Sequence, residues 1–243
     1  MSMSDAELAA ALAEAAGRIA CAVRDAGLIE GNALGDAGDN VVNTFLVRAL
    51  AAQRPEDGLL SEESKDTCER LGKRRVWIVD PVDGTREYAE ERGDWAVHVA
   101  LAIDGVAEIG AVALPGLGLV LRSDAPLAPP PPRERPRMVV SRTRPADQAM
   151  TVAKAIGAEL IPMGSAGAKA MSVVRGEAEI YIHTGGQHEW DSCAPVAVAR
   201  ANGLHCSRID GAPLIYNRAD TYLPDLLICR REWAERLLTA VRG

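Results

Sequence analysis

The spacing of apolar residues in the first half of the chain predicts two helices followed by five strands. A capping-box pattern at Ser4 and Glu7 precedes a stripe of apolar residues at helical spacing, Leu8, Leu12, Ile19 and Val23. This first helix is predicted to end near Gly27. The glycine-rich residues 27–40 are interpreted as a loop, and a second helix is predicted to begin near Asn40. Short apolar runs predict strands at Gly58–Ser61, Val76–Val79, Ala96–Ile103, Val106–Leu114 and Leu117–Leu121, with a hairpin turn at Asp104 and Gly105.

The proline-rich stretch APLAPPPPRERP, residues 125–136, can form neither a helix nor a central strand. We interpret it as a stiff connector between an N-terminal half, residues 1–124, and a C-terminal half, residues 137–243. In the second half, apolar runs typical of strands alternate with segments at helical spacing, in the order MVVS, Asp147–Ile156, AELIP, Gly167–Val174, AEIYIH, Ser192–Asn202 and LLIC. This alternation predicts a layered α/β fold.

Composition and charge restrict the class of protein. The 243 residues are 48% hydrophobic, and 27 Lys and Arg against 34 Asp and Glu give a formal net charge of −7. Without a long basic block, the chain is not expected to bind nucleic acid or an anionic membrane through bulk charge. No apolar run reaches membrane-spanning length, and the acidic N-terminus lacks the pattern of an export signal. The five cysteines are scattered without a C-x-x-C pair, which is typical of the cytoplasm and argues against a zinc site: Cys21, Cys68, Cys193, Cys206 and Cys229.

The run VWIVDPVDGT, from Val76 to Thr85, predicts a buried strand that ends in two aspartates. A buried carboxylate is costly unless a positive charge compensates it, and this run contains no Lys or Arg. Pro81 favours an extended strand end, and a glycine before the threonine permits a tight turn. Taken alone, Asp80 could be a turn former and Asp83 a helix cap.

Three further acids lie at the ends of predicted elements. Glu62 and Glu63 follow the first strand, and Asp191 stands at the start of a helix. Acids that meet at the edges of strands suggest a shared site for a hard divalent cation such as Mg²⁺, which prefers oxygen ligands.

Gly84 and Thr85 would leave free backbone N–H groups at a helix start beside the acids, and such a terminus binds anions. A cation site that faces an anion site predicts phosphoryl transfer.

The segments SEES, WIVDPVDGT and EWDSCAP occur in this order, and together they resemble the inositol monophosphatase-like, lithium-sensitive Mg²⁺ phosphatases. The resemblance covers nearly the whole chain and implies an αβαβα sandwich of the inositol monophosphatase and sugar phosphatase type. It also implies a site for two or three Mg²⁺ ions. Glu62, Asp80 and the backbone carbonyl of Val82 would hold the first ion. Asp80, Asp83 and Asp191 would hold the second.

The resemblance also implies roles in catalysis. Asp39 and Thr85 would orient the metal-bound water for in-line attack, and Glu62 is grouped with them as a catalytic residue. The backbone amides of Gly84 and Thr85 would receive the phosphate. The residue pattern alone would make Asp39 a cap at the head of the second helix.

Other segments narrow the resemblance to the CysQ-type 3′-phosphoadenosine 5′-phosphate phosphatases within this family: LGDAGD, DPVDGTREY, DWAVHVAL, VSRTRP, GSAGAKAM and DGAPLIYN. The likeness implies that Ser165 and Lys169 lie at the substrate end of the site together with Asp191. Arg142 and Tyr216 would lie nearby, with Arg142 as a clamp for a second phosphate. Two alternatives stay open, because Lys169 could be an ordinary solvated helix residue and Tyr216 could pack in the core instead of stacking on a base.

The function that this resemblance implies is removal of the 3′-phosphate from 3′-phosphoadenosine 5′-phosphate to give AMP. Within the same fold, a phosphatase for inositol 1-phosphate or fructose 1,6-bisphosphate is the alternative, because only the C-terminal half would select the substrate. A catalytically silent regulator that binds phosphonucleotides would be favoured if a metal ligand or the threonine were replaced. All of these residues are present, namely Glu62, Asp80, Asp83, Thr85 and Asp191. The sequence leaves open whether the chain forms a homodimer.

Overall fold

The protein combines helices and strands in both halves of the chain. A computed structural model describes residues 3–128, 131 and 133–242. The helices in this part of the chain are α1 (Asp5–Asp25), α2 (Gly31–Gln53), α3 (Thr85–Ala89), α4 (Asp147–Ile156), α5 (Ala166–Val174), α6 (Glu189–Ala201) and α7 (Arg231–Arg242). None of them is both long and apolar enough to cross a membrane. The strands are β1 (Gly58–Ser61), β2 (Arg75–Asp83), β3 (Ala96–Ile103), β4 (Val106–Leu114), β5 (Leu119–Arg122), β6 (Arg137–Ser141), β7 (Glu159–Met163), β8 (Ile180–His188), β9 (His205–Ser207) and β10 (Tyr222–Cys229).

These strands form two five-stranded sheets, one from each predicted half of the chain. Sheet 1 has the order β1-β2-β3-β4-β5, with β1 parallel to β2 and the other neighbours antiparallel. Sheet 2 has the order β7-β6-β8-β10-β9, with β6 parallel to both neighbours and β10 antiparallel to both. The predicted connector, residues 125–136, links the sheets along the chain, and its residues 129, 130 and 132 lie outside the described residues.

The sheets and helices stack in five layers, so the predicted αβαβα sandwich is confirmed. α1 and α2 pack on the outer face of sheet 1, where they share a core with Trp77 and Val79 of β2. The opposite face of β2, with Val76 and Ile78, joins a central core that contains α5, α6 and residues of both sheets. α4 and α7 cover the outer face of sheet 2. Because β2 alternates between two packed layers, the acids at its end are buried as well.

The second helix begins earlier than the sequence pattern predicts. α2 starts at Gly31, so most of the glycine-rich residues 27–40 are helical, and the loop interpretation is wrong for them. Asp39 therefore lies within the helix and not at its head. A glycine in a helix interior costs about 1 kcal/mol relative to alanine, so the composition of this stretch disfavours a helix unless packing compensates.

The glycines of α2 allow this helix to approach α3 closely. A Cβ atom on Gly35 would lie 2.7 Å from the Thr85 side chain. A Cβ atom on Gly38 would lie 2.6 Å from the ring of Tyr88. Any larger residue would push α3 away from α2, so tertiary packing explains both the glycines and the helix.

Most other elements agree with the sequence pattern to within a few residues. The hairpin turn at Asp104 and Gly105 has positive φ at both residues, 51° and 78°, as a tight turn between β3 and β4 requires. β8 continues beyond the predicted AEIYIH run as far as His188, because this segment pairs with β10. α7 and β9 have no counterpart among the predicted elements.

Candidate active site

β2 carries two acids of the site at its C-terminal end. The strand pairs regularly with β3 up to Asp80, which lies opposite His98, and the register then shifts before Asp83. An irregularity of this kind bends a strand and re-aims its side chains. Asp80 is 1% exposed and Asp83 is 6% exposed. The strand therefore ends in two buried carboxylates.

Asp191 joins these two acids from the first turn of α6. Carboxylate oxygens of Asp80, Asp83 and Asp191 all lie within 4.8 Å of one another. One oxygen of Asp191 accepts a 2.6 Å hydrogen bond from the backbone N–H of His188, the N-cap residue of α6. The fold thus brings together acids from both halves of the chain, and we call these three residues the acid cluster.

The acid cluster has the properties of a cation site. Burial, followed by the charges of neighbouring acids with Glu62 first, holds the pKa of Asp80 well above its usual value. Burial and the charge of Asp83 raise the pKa of Asp191 to about 7. Oδ1 of Asp80 is buried without a hydrogen-bond partner in the described part of the chain. A hard divalent cation would relieve the repulsion and give this oxygen a partner, so these residues fit Mg²⁺.

Asp83 differs from the other acids because the start of α5 surrounds it with donors. Its carboxylate accepts hydrogen bonds from the Ser165 hydroxyl and from the backbone N–H groups of Ala166 and Gly167, the last two at 3.0 and 2.5 Å. Burial alone would raise the pKa of Asp83, but the charge of His98 and these donors outweigh it and hold the pKa below its usual value. Asp83 is therefore ionised, and it fastens α5 to the end of β2.

His98 supplies a positive partner that the sequence analysis missed. Its Nδ1 atom lies 3.0 Å from the carbonyl oxygen of Trp190, which can only accept, so Nδ1 carries a proton. Its Nε2 atom lies 3.3 Å from a carboxylate oxygen of Asp83. Burial opposes a charge on the imidazole, but the charge of Asp83 outweighs burial and raises the pKa of His98. The available signal was a single ionisable residue inside the apolar run AVHVALA of β3.

Glu62 lies directly after β1 and belongs to the same electrostatic environment. Its side chain is exposed, yet enough protein surrounds the carboxylate for desolvation to act on it. Desolvation, followed by the charges of Asp191 and Asp39, raises the pKa of Glu62 to about 8. The resemblance also implies that the backbone carbonyl of Val82 is a metal ligand. This carbonyl accepts a 3.1 Å hydrogen bond from the Thr85 hydroxyl.

Asp39 and Thr85, which the resemblance pairs, are in contact. Oγ1 of Thr85 lies 3.1 Å from Oδ2 of Asp39 and 3.1 Å from the Val82 carbonyl oxygen. Burial, followed by the charge of Glu63, raises the pKa of Asp39 to about 7. A hydroxyl has one proton for these two acceptors, so a protonated Asp39 can donate to Thr85 while Thr85 donates to Val82. The pair can therefore hold a proton near neutral pH.

Gly84 forms the turn between the acids of β2 and the start of α3. It is the N-cap residue of α3 and has a φ of 90°, which favours glycine. A Cβ atom at this position would lie 3.0 Å from the Cβ atom of Ser165. The tight turn places the first backbone N–H groups of α3 directly after Asp83.

Lys169 is buried, so it is not a solvated helix residue. It is 5% exposed, and its ammonium group donates hydrogen bonds to the carbonyls of Gly164, at 3.1 Å, and Ser165. Nζ also lies 5.5 Å from the ring centroid of Tyr181. Burial lowers the pKa of Lys169. The two carbonyls use two of the three N–H donors of the ammonium group.

Arg142 and Tyr216 both have partners inside the protein. Arg142 forms ion pairs of 2.6 Å with Glu87 and with Glu90, which link the end of β6 to α3. Tyr216 is 1% exposed, and its hydroxyl lies 3.2 Å from that of Ser192. Of the two alternatives for Tyr216, packing in the core is the one that the structure has. In this conformation the ring offers no face to a base.

Comparison with known proteins identifies the family of this chain. The chain matches the inositol monophosphatase family over residues 4–243. It is 47% identical to the 3′-phosphoadenosine 5′-phosphate phosphatase of Mycobacterium leprae, over 99% of this chain and 94% of that protein. It is 27% identical to the 3′(2′),5′-bisphosphate nucleotidase CysQ of Salmonella typhimurium, over 77% of this chain and 81% of that one. The crystal structure of CysQ from Bacteroides thetaiotaomicron has a TM-score of 0.77 at 26% identity and covers 92% of this chain and 96% of that chain. The chain therefore belongs to the inositol monophosphatase family.

Proposed function

We propose that the protein is a Mg²⁺-dependent phosphatase that removes the 3′-phosphate of 3′-phosphoadenosine 5′-phosphate and releases AMP. The observation that carries this proposal is the acid cluster, whose oxygens lie within 4.8 Å of one another at the end of β2, where α3 begins. A cation held by acids beside the N-terminus of a helix is an arrangement that suits phosphoryl transfer. The relative from Mycobacterium leprae, at 47% identity, bears the name of this activity.

The acids are the proposed ligands of the cations. Asp80, Asp83 and Asp191 would share one ion, and Glu62, Asp80 and the Val82 carbonyl would share another. Bound Mg²⁺ would supply a Lewis acid that polarises the phosphate and offsets the charge that develops on it. Because the pKa is raised to about 8 for Glu62 and to about 7 for Asp191, protons compete with a cation for both acids near neutral pH.

Asp39 and Thr85 would orient the attacking water and manage its proton. The Thr85 hydroxyl can accept a hydrogen bond from water, and Asp39, whose pKa is raised to about 7, can take up a proton near neutral pH. Attack of this water on phosphorus, opposite the leaving oxygen, would form the new P–O bond and break the bond to the ribose 3′-oxygen, which takes up a proton from water and becomes the 3′-hydroxyl of AMP. Asp39 then releases its proton to solvent. The first N–H groups of α3, after Gly84, would bind the phosphate oxygens during this step.

Selection of a nucleotide with two phosphates needs a positively charged side chain in addition to the metal ions. Lys169 is our candidate for the remote phosphate, because two of its three N–H donors serve backbone carbonyls at the start of α5 and one is left for a ligand. Ser165 would shape this end of the site, since its hydroxyl caps α5. Arg142 is less suited to the predicted clamp because Glu87 and Glu90 already neutralise it.

Product analysis tests the proposal. Purified protein incubated with 3′-phosphoadenosine 5′-phosphate and Mg²⁺, followed by ³¹P NMR, should give inorganic phosphate and AMP in equal amounts. The Asp80→Asn variant, prepared in the same way, controls for a contaminating phosphatase. Formation of adenosine 3′-phosphate, or no phosphate release at all, would contradict the proposed reaction.

The cysteines bear on the compartment in which this reaction takes place. All five are free thiols in the structure. Free thiols suit a reducing environment, and on this ground we propose that the protein acts in the cytoplasm.

A further inference from the structure

The acids of the site come from separate segments of the chain, so contacts outside the site must hold them together before a cation binds. Glu62 follows β1, whereas Asp191 starts α6. The backbone N–H of Glu62 donates to the Val79 carbonyl at 3.4 Å, next to Asp80, and a carboxylate oxygen of Asp80 lies within 4.8 Å of one of Asp191. Glu62 and Asp191 belong to different halves of the chain, and once both are ionised to bind a cation their charges repel.

Glu189 anchors the start of α6. The residue is 0% exposed. Its two carboxylate oxygens accept hydrogen bonds from the backbone N–H groups of Asn217 at 2.7 Å and Arg218 at 2.8 Å. Its own N–H donates to the Thr221 carbonyl at 2.9 Å. The first turn of α6, which carries Asp191, is therefore bound to the segment 217–221.

Arg70 ties the same segment to the chain that follows Glu62. Its side chain is 1% exposed and forms a 2.7 Å ion pair with Asp66. It also donates to the side-chain oxygen of Asn217 at 2.8 Å and to the carbonyl of Arg218 at 3.0 Å. Asn217 returns a 3.2 Å hydrogen bond from its amide to the Arg70 carbonyl. These contacts complete a bridge between the two regions that carry the acids.

We propose that Glu189, Asn217 and Arg70 are positioning residues that hold Glu62 and Asp191 together for a divalent cation. The inference rests on the metal site of the proposed function, but none of the three residues is a proposed ligand. Arg70 and Glu189 are buried and Asn217 is half-buried, and their hydrogen bonds have fixed directions, so the bridge restricts how far α6 can move from the loop after β1. Contacts that orient metal ligands from outside typically change metal affinity by roughly 10- to 100-fold when removed.

Asn217→Gly tests the bridge with little change to the backbone. Asn217 has a φ of 58°, a conformation that glycine adopts without strain, so the substitution removes the amide contacts and preserves the path of the chain. Titration calorimetry of the nucleotide-free protein with MgCl₂ should give a dissociation constant raised about 10-fold or more. Raising the Mg²⁺ concentration should restore turnover, because the ligands themselves are intact.

Glu91→Gly is the matched control. Glu91 is exposed and has a φ of 56°, so its replacement makes the same kind of backbone change outside the bridge. Its Mg²⁺ affinity should equal that of the wild type. If circular dichroism shows that Asn217→Gly does not fold, Glu189→Gln takes its place, because it removes the charge and one acceptor of the bridge with little change in shape.

The outcomes separate this inference from the proposed function. A weaker Mg²⁺ affinity in the folded bridge variant, with an unchanged affinity in Glu91→Gly, supports the inference. Equal affinities in the wild type and the folded bridge variant overturn the inference alone. A wild-type protein that binds no Mg²⁺ overturns the metal site of the proposed function and the inference with it.

Discussion

His98 and Asp83 face each other at 3.3 Å, from Nε2 to a carboxylate oxygen, and both side chains are buried. This pair gives one acid of the site a positive partner from the protein itself. Asp80 and Asp191 have raised pKa values, so their charges depend on a cation. The site therefore combines one acid that is ionised without metal and others whose ionisation accompanies metal binding.

Replacing Asp83 with asparagine should lower kcat by ~10²-fold or more, the scale expected when a preorganised electrostatic contact is lost. The asparagine carries no negative charge. Its NH₂ group cannot accept the hydrogen bonds that the start of α5 donates to Asp83. Steady-state kinetics at saturating Mg²⁺ measure the effect. Asp94→Asn is the matched control, because Asp94 also accepts a backbone N–H near α5, from Gly164 at 2.7 Å, but lies outside the cluster. Near-full activity of Asp83→Asn would show that Asp83 is not a metal ligand.

The raised carboxyl pKa values predict how the stability of the metal-free protein depends on pH. Asp39 and Asp191 ordinarily titrate near 3.8, and in the folded protein their pKa values are raised to about 7. Between these values the folded state binds more protons than the unfolded state, so the free energy of unfolding should fall as the pH rises. The raised pKa of His98 changes the free energy of unfolding in the same direction. The lowered pKa of Asp83 affects it only below the pH range set by these two acids.

Thermal unfolding in EDTA between about pH 4 and pH 7 measures this dependence. Mg²⁺ should stabilise the protein most at the upper end of the range, because it binds the ionised carboxylates. A melting temperature in EDTA that rises steadily across the range would contradict the assigned pKa shifts.

Lys169→Ala should raise KM for 3′-phosphoadenosine 5′-phosphate by roughly 10- to 100-fold. The loss of a charge-assisted contact costs about 1.5–3 kcal/mol, and about 1.4 kcal/mol corresponds to one decade. Hydrolysis of inositol 1-phosphate should hardly change, since this substrate has no second phosphate. Lys154→Ala, at an exposed position of α4, is the control. An equal loss of activity on both substrates would instead indicate that Lys169 supports the start of α5 through its hydrogen bonds to Gly164 and Ser165.

The sequence predicts those features that depend on short-range pattern, such as the hairpin at Asp104 and the buried strand that leads into Asp80 and Asp83. It does not reveal that the glycines of α2 belong in a helix, because this depends on the closeness of Tyr88, an approach that only the packed fold shows. The burial of Lys169 and Tyr216 likewise depends on which layers enclose them. The pairing of His98 with Asp83 needed the register between β2 and β3, which no local pattern specifies.

Chelation should abolish turnover reversibly. EDTA removes the cation on which the acid cluster depends, and added Mg²⁺ should restore activity. Lithium chloride should inhibit, as the family resemblance implies, by occupying a site meant for a divalent ion, whereas potassium chloride at the same ionic strength should not. Activity that survives exhaustive chelation would point to a metal-free mechanism.

The most direct test of the account compares kcat/KM across three substrates at a fixed Mg²⁺ concentration: 3′-phosphoadenosine 5′-phosphate, inositol 1-phosphate and fructose 1,6-bisphosphate. We expect kcat/KM to be roughly 10- to 100-fold higher for the nucleotide than for inositol 1-phosphate. This factor corresponds to the free energy of one charge-assisted contact to the second phosphate. Fructose 1,6-bisphosphate also has two phosphates but no base, and it should be a poorer substrate than the nucleotide. Faster hydrolysis of either alternative substrate by the wild-type protein would contradict the account.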